Sequence, residues 1–234
     1  MTPVTSLSTD VREVVIVCGN RRVRGNLTIP DKPRGVVGFA HGSGSGRFSP
    51  RNQHVAEILQ SRGLATLLMD LLEEDEAENR DCVFEIPRLV DRLEAAGDWL
   101  SRENDLQGLP LGYFGASTGA AAALAAAARR PQQVRAVVSR GGRPDLVWDL
   151  LPRITVPTLL IVGGADDLVL ELNRDSFDRL HGPRELVVIP NATHLFPEPG
   201  ALDQVARLAG NWFLTHFGVH PQAEERLDQP QLRL

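Results

Sequence analysis

Ser117 stands between Gly115 and Gly119 in "LGYFGASTGAAAALAAAARR", a G-x-S-x-G spacing with a short apolar run before it and an alanine tract after it. A serine at a sharp strand-to-helix corner points its hydroxyl into the crevice, and small residues two places before and after let the chain turn that tightly. A helix starting at Thr118 brings free backbone N–H groups and its positive dipole end to the same point, where they can stabilise negative charge on a bound carbonyl. A hydroxyl is a weak nucleophile until a base takes its proton, so the arrangement calls for a histidine and a carboxylate further along. Asp166 follows the apolar run "PTLLIVGGA" and His194 follows "ELVVIPNAT". Three strand ends would then supply nucleophile, orienting acid and base in the chain order Ser, Asp, His. Asp145 and Asp167 are the alternative acids.

A second oxyanion donor is expected after the third strand, where "GVVGFAHGSGSGRFSPRN" offers glycines that let a backbone approach closely. The backbone N–H groups of Ser43 and Thr118 form the expected pair, and His41 reads as a buried structural hydrogen-bonding group. Arg140 and Arg143 in "SRGGRPDL" are candidates to bind a substrate carboxylate; satisfying loop carbonyls is the other reading of both. No metal or cofactor is called for.

Strands are predicted at Glu13–Cys18, Val23–Ile29, Gly35–Ala40, Ala65–Asp70, Leu111–Phe114, Val134–Ser139, Thr158–Val162 and Glu185–Ile189, and helices at Asn52–Arg62, Pro87–Arg102, Thr118–Arg129, Leu170–Leu180 and Ala201–Phe217. "GNRR" reads as a hairpin turn between the first two strands, and from Gly35 onward each strand is followed by a helical segment. The fold class is therefore α/β: a mostly parallel sheet of about eight strands with helices on both faces. Only "GGRPDLVWDLLPRITVP" separates Ser139 from Thr158, too short for a cap. The acidic run "EEDEAENRD" reads as a mobile, solvated loop, and Trp99 and Trp212 as core. One domain is expected over residues 1–218, with a polar tail over 219–234.

The chain has 234 residues, 42% of them hydrophobic, a formal charge of −5 and no basic stripe. That argues against nucleic acid as the main partner and for small solutes, which the Ser, Asp, His reading narrows to acyl substrates; a homo-oligomer is compatible with it. Cys18 and Cys82 are the only cysteines and form neither a disulfide framework nor a CxxC spacing. With no leader-like start and no membrane-spanning run, a cytoplasmic location without membrane partners is expected.

The elbow "GASTG", the acid-bearing "VGGADDLV" and the base-bearing "NATHLF" together resemble the α/β-hydrolase superfamily and, within it, the small lidless dienelactone-hydrolase-like proteins, over roughly Gly35 to Phe217. "FAHGSGSGRFSPRN", "VVSRGGRPDL" and "ATHLFPEPGAL" are similar to a bacterial branch sometimes fused to a phosphoribosyltransferase domain, a domain not expected here. Dienelactone hydrolases themselves carry a cysteine nucleophile where this chain has Ser117, so the resemblance implies acyl-transfer chemistry without the dienelactone substrate. The expected activity is cofactor-independent serine hydrolysis of an ester, thioester or lactone through an acyl-enzyme on Ser117. Acyl transfer by the same residues and a non-catalytic binding module are the alternatives.

Overall fold

The computed structural model of the protein describes residues 9–219. The expected tail at 219–234 lies outside these residues apart from Val219, as does most of the N-terminal stretch read for a leader. Strands run at β1 Asp10–Cys18, β2 Arg21–Ile29, β3 Val36–Ala40, β4 Ala65–Met69, β5 Leu111–Ala116, β6 Val134–Arg140, β7 Thr158–Gly163 and β8 Arg184–Ile189. Helices are α1 Pro50–Ser61, α2 Glu74–Ala77, α3 Arg80–Phe84, α4 Ile86–Leu100, α5 Thr118–Arg129, α6 Asp167–Arg179 and α7 Ala201–His216.

The eight strands form one sheet in the order β1-β2-β4-β3-β5-β6-β7-β8. β1 pairs antiparallel with β2, and β2 with β4; from β4 to β8 all pairing is parallel. Parallel strands covered on both faces should read as unbroken apolar runs rather than alternating ones. The strands β3, β4, β5 and β7 are buried at every residue. One face packs on α4 and α5, with Tyr113, Val137 and Leu160 reaching into that layer. The other packs on α1 and α7 through Phe39, Phe114, Val138 and Phe213. Helix α5 is alanine-rich because it is enclosed: everything from Thr118 to Ala127 is buried, leaving no room for longer side chains.

Between β6 and β7 the chain makes only a kinked 3-10 segment, Pro144–Arg153, so there is no cap domain. Among the described residues no helix is long and apolar enough to cross a membrane.

The acidic run is not the solvated loop that its composition suggests. Glu73 and Glu76 form a capping box around α2, and Glu76 is buried, accepting hydrogen bonds from Arg88 at 2.6 Å and Arg92 at 3.0 Å. Glu73 accepts from the Arg22 amide at 2.8 Å and from the Arg21 side chain at 2.5 Å, which stapes the segment to the β1–β2 hairpin. Both carboxyls sit below the usual carboxylate range. For Glu73 the cause is the Arg22 amide and then Arg21; for Glu76 burial opposes the charge, but the Glu73 amide, Arg88 and Arg92 outweigh it. The partners come from distant parts of the chain, so local charge density gave no sign of the network.

Candidate active site

The turn from β5 into α5 places Ser117 at φ 51° and ψ −123°, a backbone conformation that costs a non-glycine residue on the order of 1–3 kcal/mol. It is held there on both sides: Ser117 N–H donates to the Arg140 carbonyl at 3.2 Å, and its own carbonyl accepts from Ala120 and Arg143, each at 3.1 Å. The flanking glycines are required by contact. A Cβ on Gly115 would stand 2.4 Å from Ala120 Cα, and one on Gly119 would stand 2.2 Å from the Ala40 carbonyl oxygen. The result is a serine side chain only partly covered, at the carboxyl ends of the parallel strands.

Asp166 follows the end of β7 and His194 lies in the loop after β8; Asp166 Oδ2 and His194 Nδ1 are 2.7 Å apart. A carboxylate can only accept, so the proton is on Nδ1 and Nε2 is left as the basic nitrogen. Asp166 is the N-cap residue of α6 but makes no side-chain cap bond; its carboxylate is turned to the histidine instead. The two loops are packed into each other at Gly163, where a Cβ would stand 2.3 Å from the Ala192 carbonyl oxygen. The His194 loop is braced by Glu198, which accepts from Thr193 N–H at 3.0 Å and from its hydroxyl at 2.6 Å.

Ser117 and His194 share this crevice without a direct hydrogen bond. They meet across Gly141, which follows the Arg140 carbonyl bonded to Ser117 and whose Cβ position is 3.5 Å from His194 Nδ1.

The glycine-rich loop after β3 crosses Ser117 closely enough that a Cβ on Gly42 would stand 2.9 Å from Ser117 Cβ. The Ser43 amide, the expected second oxyanion donor, donates to Thr118 Oγ1 at 3.0 Å. The Thr118 N–H lies in the first turn of α5, where no carbonyl precedes it within the helix. His41 is structural, as expected. Its Nε2 accepts from the Leu71 amide at 3.0 Å, so Nδ1, 2.9 Å from the Gly42 carbonyl, carries the proton; burial lowers its pKa and keeps it neutral. Asp70, not singled out from the sequence, anchors the same loop by accepting from the Arg47 amide at 2.8 Å and from the Arg47 guanidinium. Its place at the end of a strand on the ligand edge was the available signal.

Of the two readings open for Arg143, a substrate carboxylate or loop carbonyls, the structure shows neither: it binds a neighbouring side chain. Its guanidinium donates to Asp145 through two bonds of 2.8 and 2.7 Å, while His194 pairs with Asp166. Arg140 is buried and, among the described residues, has no such partner.

Residues 23–226 match the family model described as "Dienelactone hydrolase family". The chain belongs to the dienelactone hydrolase family. A dienelactone hydrolase from Anabaena variabilis is 53% identical, with 89% of this chain and 98% of that one covered and a TM-score of 0.87. Est1E from Butyrivibrio proteoclasticus, 17% identical over 88% of this chain and 99% of its own with a TM-score of 0.76, shares the fold. A Mycobacterium tuberculosis H37Rv protein provisionally named a phosphoribosyl transferase is 57% identical over 88% of this chain, and the match spans 46% of that relative's length. The family and its near structural neighbour support a hydrolase.

Proposed function

We propose that this dienelactone hydrolase family member is a serine hydrolase that cleaves a carboxylic ester, thioester or lactone through an acyl-enzyme on Ser117. The observation that carries the reading is the 2.7 Å contact between Asp166 and His194 at the crevice that also holds Ser117. With the proton fixed on Nδ1, His194 Nε2 takes the Ser117 proton as the hydroxyl oxygen attacks the carbonyl carbon, and Asp166 stabilises the imidazolium that forms. The Thr118 and Ser43 amides face the oxyanion. Collapse of the tetrahedral intermediate expels the alcohol, thiol or ring oxygen, which receives the proton from His194 Nε2. Water then attacks the acyl-enzyme by the same route and releases the acid.

The transferase name belongs to relatives about twice as long, of which the match to this chain spans 46%, whereas residues 23–226 of this chain match the hydrolase family model; we therefore assign hydrolase chemistry to it. The test is a fluorophosphonate probe read by intact mass and peptide mapping. One adduct on Ser117, absent in Ser117→Ala and strongly slowed in His194→Ala, is the expected result. Equal labelling of the Ser117→Ala variant would remove the nucleophile from the scheme.

A further inference from the structure

Arg140 ends β6 in register with Ala116, one residue before the nucleophile. Its side chain is 6% exposed, yet Nε and Nη1 are closed to solvent with no hydrogen-bond acceptor. Buried guanidinium groups ordinarily rest on a carboxylate, because removing their charge from water is unfavourable unless it is paired. Among the described residues Arg140 has no such partner, and a second cation, Arg51, adds to the cost of its charge. Burial first, and then Arg51, push its pKa down to about 10. Arg51 Nε is also closed to solvent and without an acceptor.

The fold accounts for their meeting. Val138, two residues before Arg140, faces the layer covered by α1 and α7, and strand alternation turns Arg140 to that same face. Arg51 lies in the first turn of α1, just after the N-cap Ser49, so the positive end of a 12-residue helix adds to the two guanidinium charges. On the other side Gly141 leads directly to His194.

We propose that Arg51 and Arg140 form an anion subsite beside Ser117, holding a carboxylate or phosphate group of the substrate whose acyl group is passed to that serine. This names a substrate class for the hydrolase reading and rests on it for the role of Ser117. Planar guanidinium forks suit either oxyanion. Arg143, bound to Asp145, is not part of the subsite.

Calorimetric titration of the wild type and of Ser117→Ala with inorganic phosphate, with glutarate and with uncharged glutaramide tests the site without any turnover. Saturable binding of at least one anion and none of glutaramide is expected, and the phosphate and glutarate arms tell the two sources apart. Arg140→Gln and Arg51→Gln should each weaken binding by about 10- to 100-fold, the size of one or two lost charge-assisted hydrogen bonds. The ratio of kcat/KM for mono-p-nitrophenyl glutarate to that for p-nitrophenyl butyrate should fall in Arg140→Gln if glutarate is the better ligand; a ratio is insensitive to general loss of activity. Should Arg140→Gln not fold, Arg51→Gln decides. Absence of saturable binding by either anion, or binding unchanged by the glutamine substitutions, overturns the subsite. Fluorophosphonate labelling on the same preparations keeps the two readings apart: labelling without anion binding sinks the subsite alone, and anion binding without labelling keeps the anion site and sinks the hydrolase reading.

Discussion

Gly163→Ala places the smallest possible strain between the acid and the base. The new Cβ would stand 2.3 Å from the Ala192 carbonyl oxygen and 2.9 Å from that of Thr193. A carbon and a carbonyl oxygen settle at about 3.3 Å or more, so the two loops must part by roughly 1 Å. Both contacts are backbone, so no flexible side chain can swing away to absorb it. The loop that must yield carries His194, and the 2.7 Å bond from its ring to Asp166 would stretch beyond hydrogen-bond range if the whole displacement fell on it. A misplacement of that size costs about 100-fold in rate, and the overpacking costs about 1–3 kcal/mol of stability. Gly164→Ala is the neighbouring control, since its Cβ meets nothing nearer than 3.2 Å. The assay is kcat/KM on p-nitrophenyl butyrate beside a urea melt of each variant. A folded Gly163→Ala protein with kcat/KM within about threefold of the wild type would refute the claim that this contact sets the acid–base geometry.

Asp166→Asn should lower turnover by about 10⁴, the loss seen when a triad histidine is left in the wrong tautomer, while Asp145→Asn, which frees only Arg143, should stay near wild type; steady-state rates of both decide between them. Glu76→Gln leaves Arg92 buried without its anion, and breaking one partner of such a pair costs about 3–5 kcal/mol, readable as a lower urea midpoint. Because the folded pKa of Glu76 lies below its ordinary value of 4.5, its contribution is present above about pH 4.5 and is lost as pH falls through the folded value; acid melts of Glu76→Gln should therefore be flatter than those of the wild type in that range. With only the Pro144–Arg153 segment between β6 and β7, p-nitrophenyl acetate and butyrate should be cleaved faster than the palmitate ester, with no jump in rate where micelles form.

What could be read in the amino-acid order is what depends on neighbours in the chain. Strands buried on both faces announce themselves as apolar runs, and all eight expected strands are present with ends moved by a few residues. The sharp corner at Ser117 was legible because its constraint is local, with Gly115 and Gly119 two places either side of it. The opposite holds for Glu76, whose partners Arg88 and Arg92 lie 12 and 16 residues away, and for Glu73, 52 residues from Arg21. A charge run says nothing about cations that the fold will bring to it. Arg51 escaped notice for the same reason: one helical arginine is unremarkable until the fold brings a second, buried cation, Arg140, within its electrostatic reach.

Helix α6 shows how the candidate site departs from what local stability prefers. It was expected from Leu170, where the apolar spacing starts, but begins at Asp167, and its N-cap Asp166 leaves the helix uncapped. An aspartate at that position normally contributes about 0.5–2 kcal/mol by bonding the first free N–H groups. Here the carboxylate turns to His194. Ser117 departs from local preference in the same way, at a positive φ that α5 and β6 hold in place, and Arg140 does so a third time as a buried cation without an acid. Three departures from local stability therefore fall on residues 117, 140 and 166, at the ends of β5, β6 and β7. Stability alone would favour a glycine, an apolar residue and a capping aspartate at those places, so their common location on one sheet edge argues that the edge is shaped by chemistry rather than by folding.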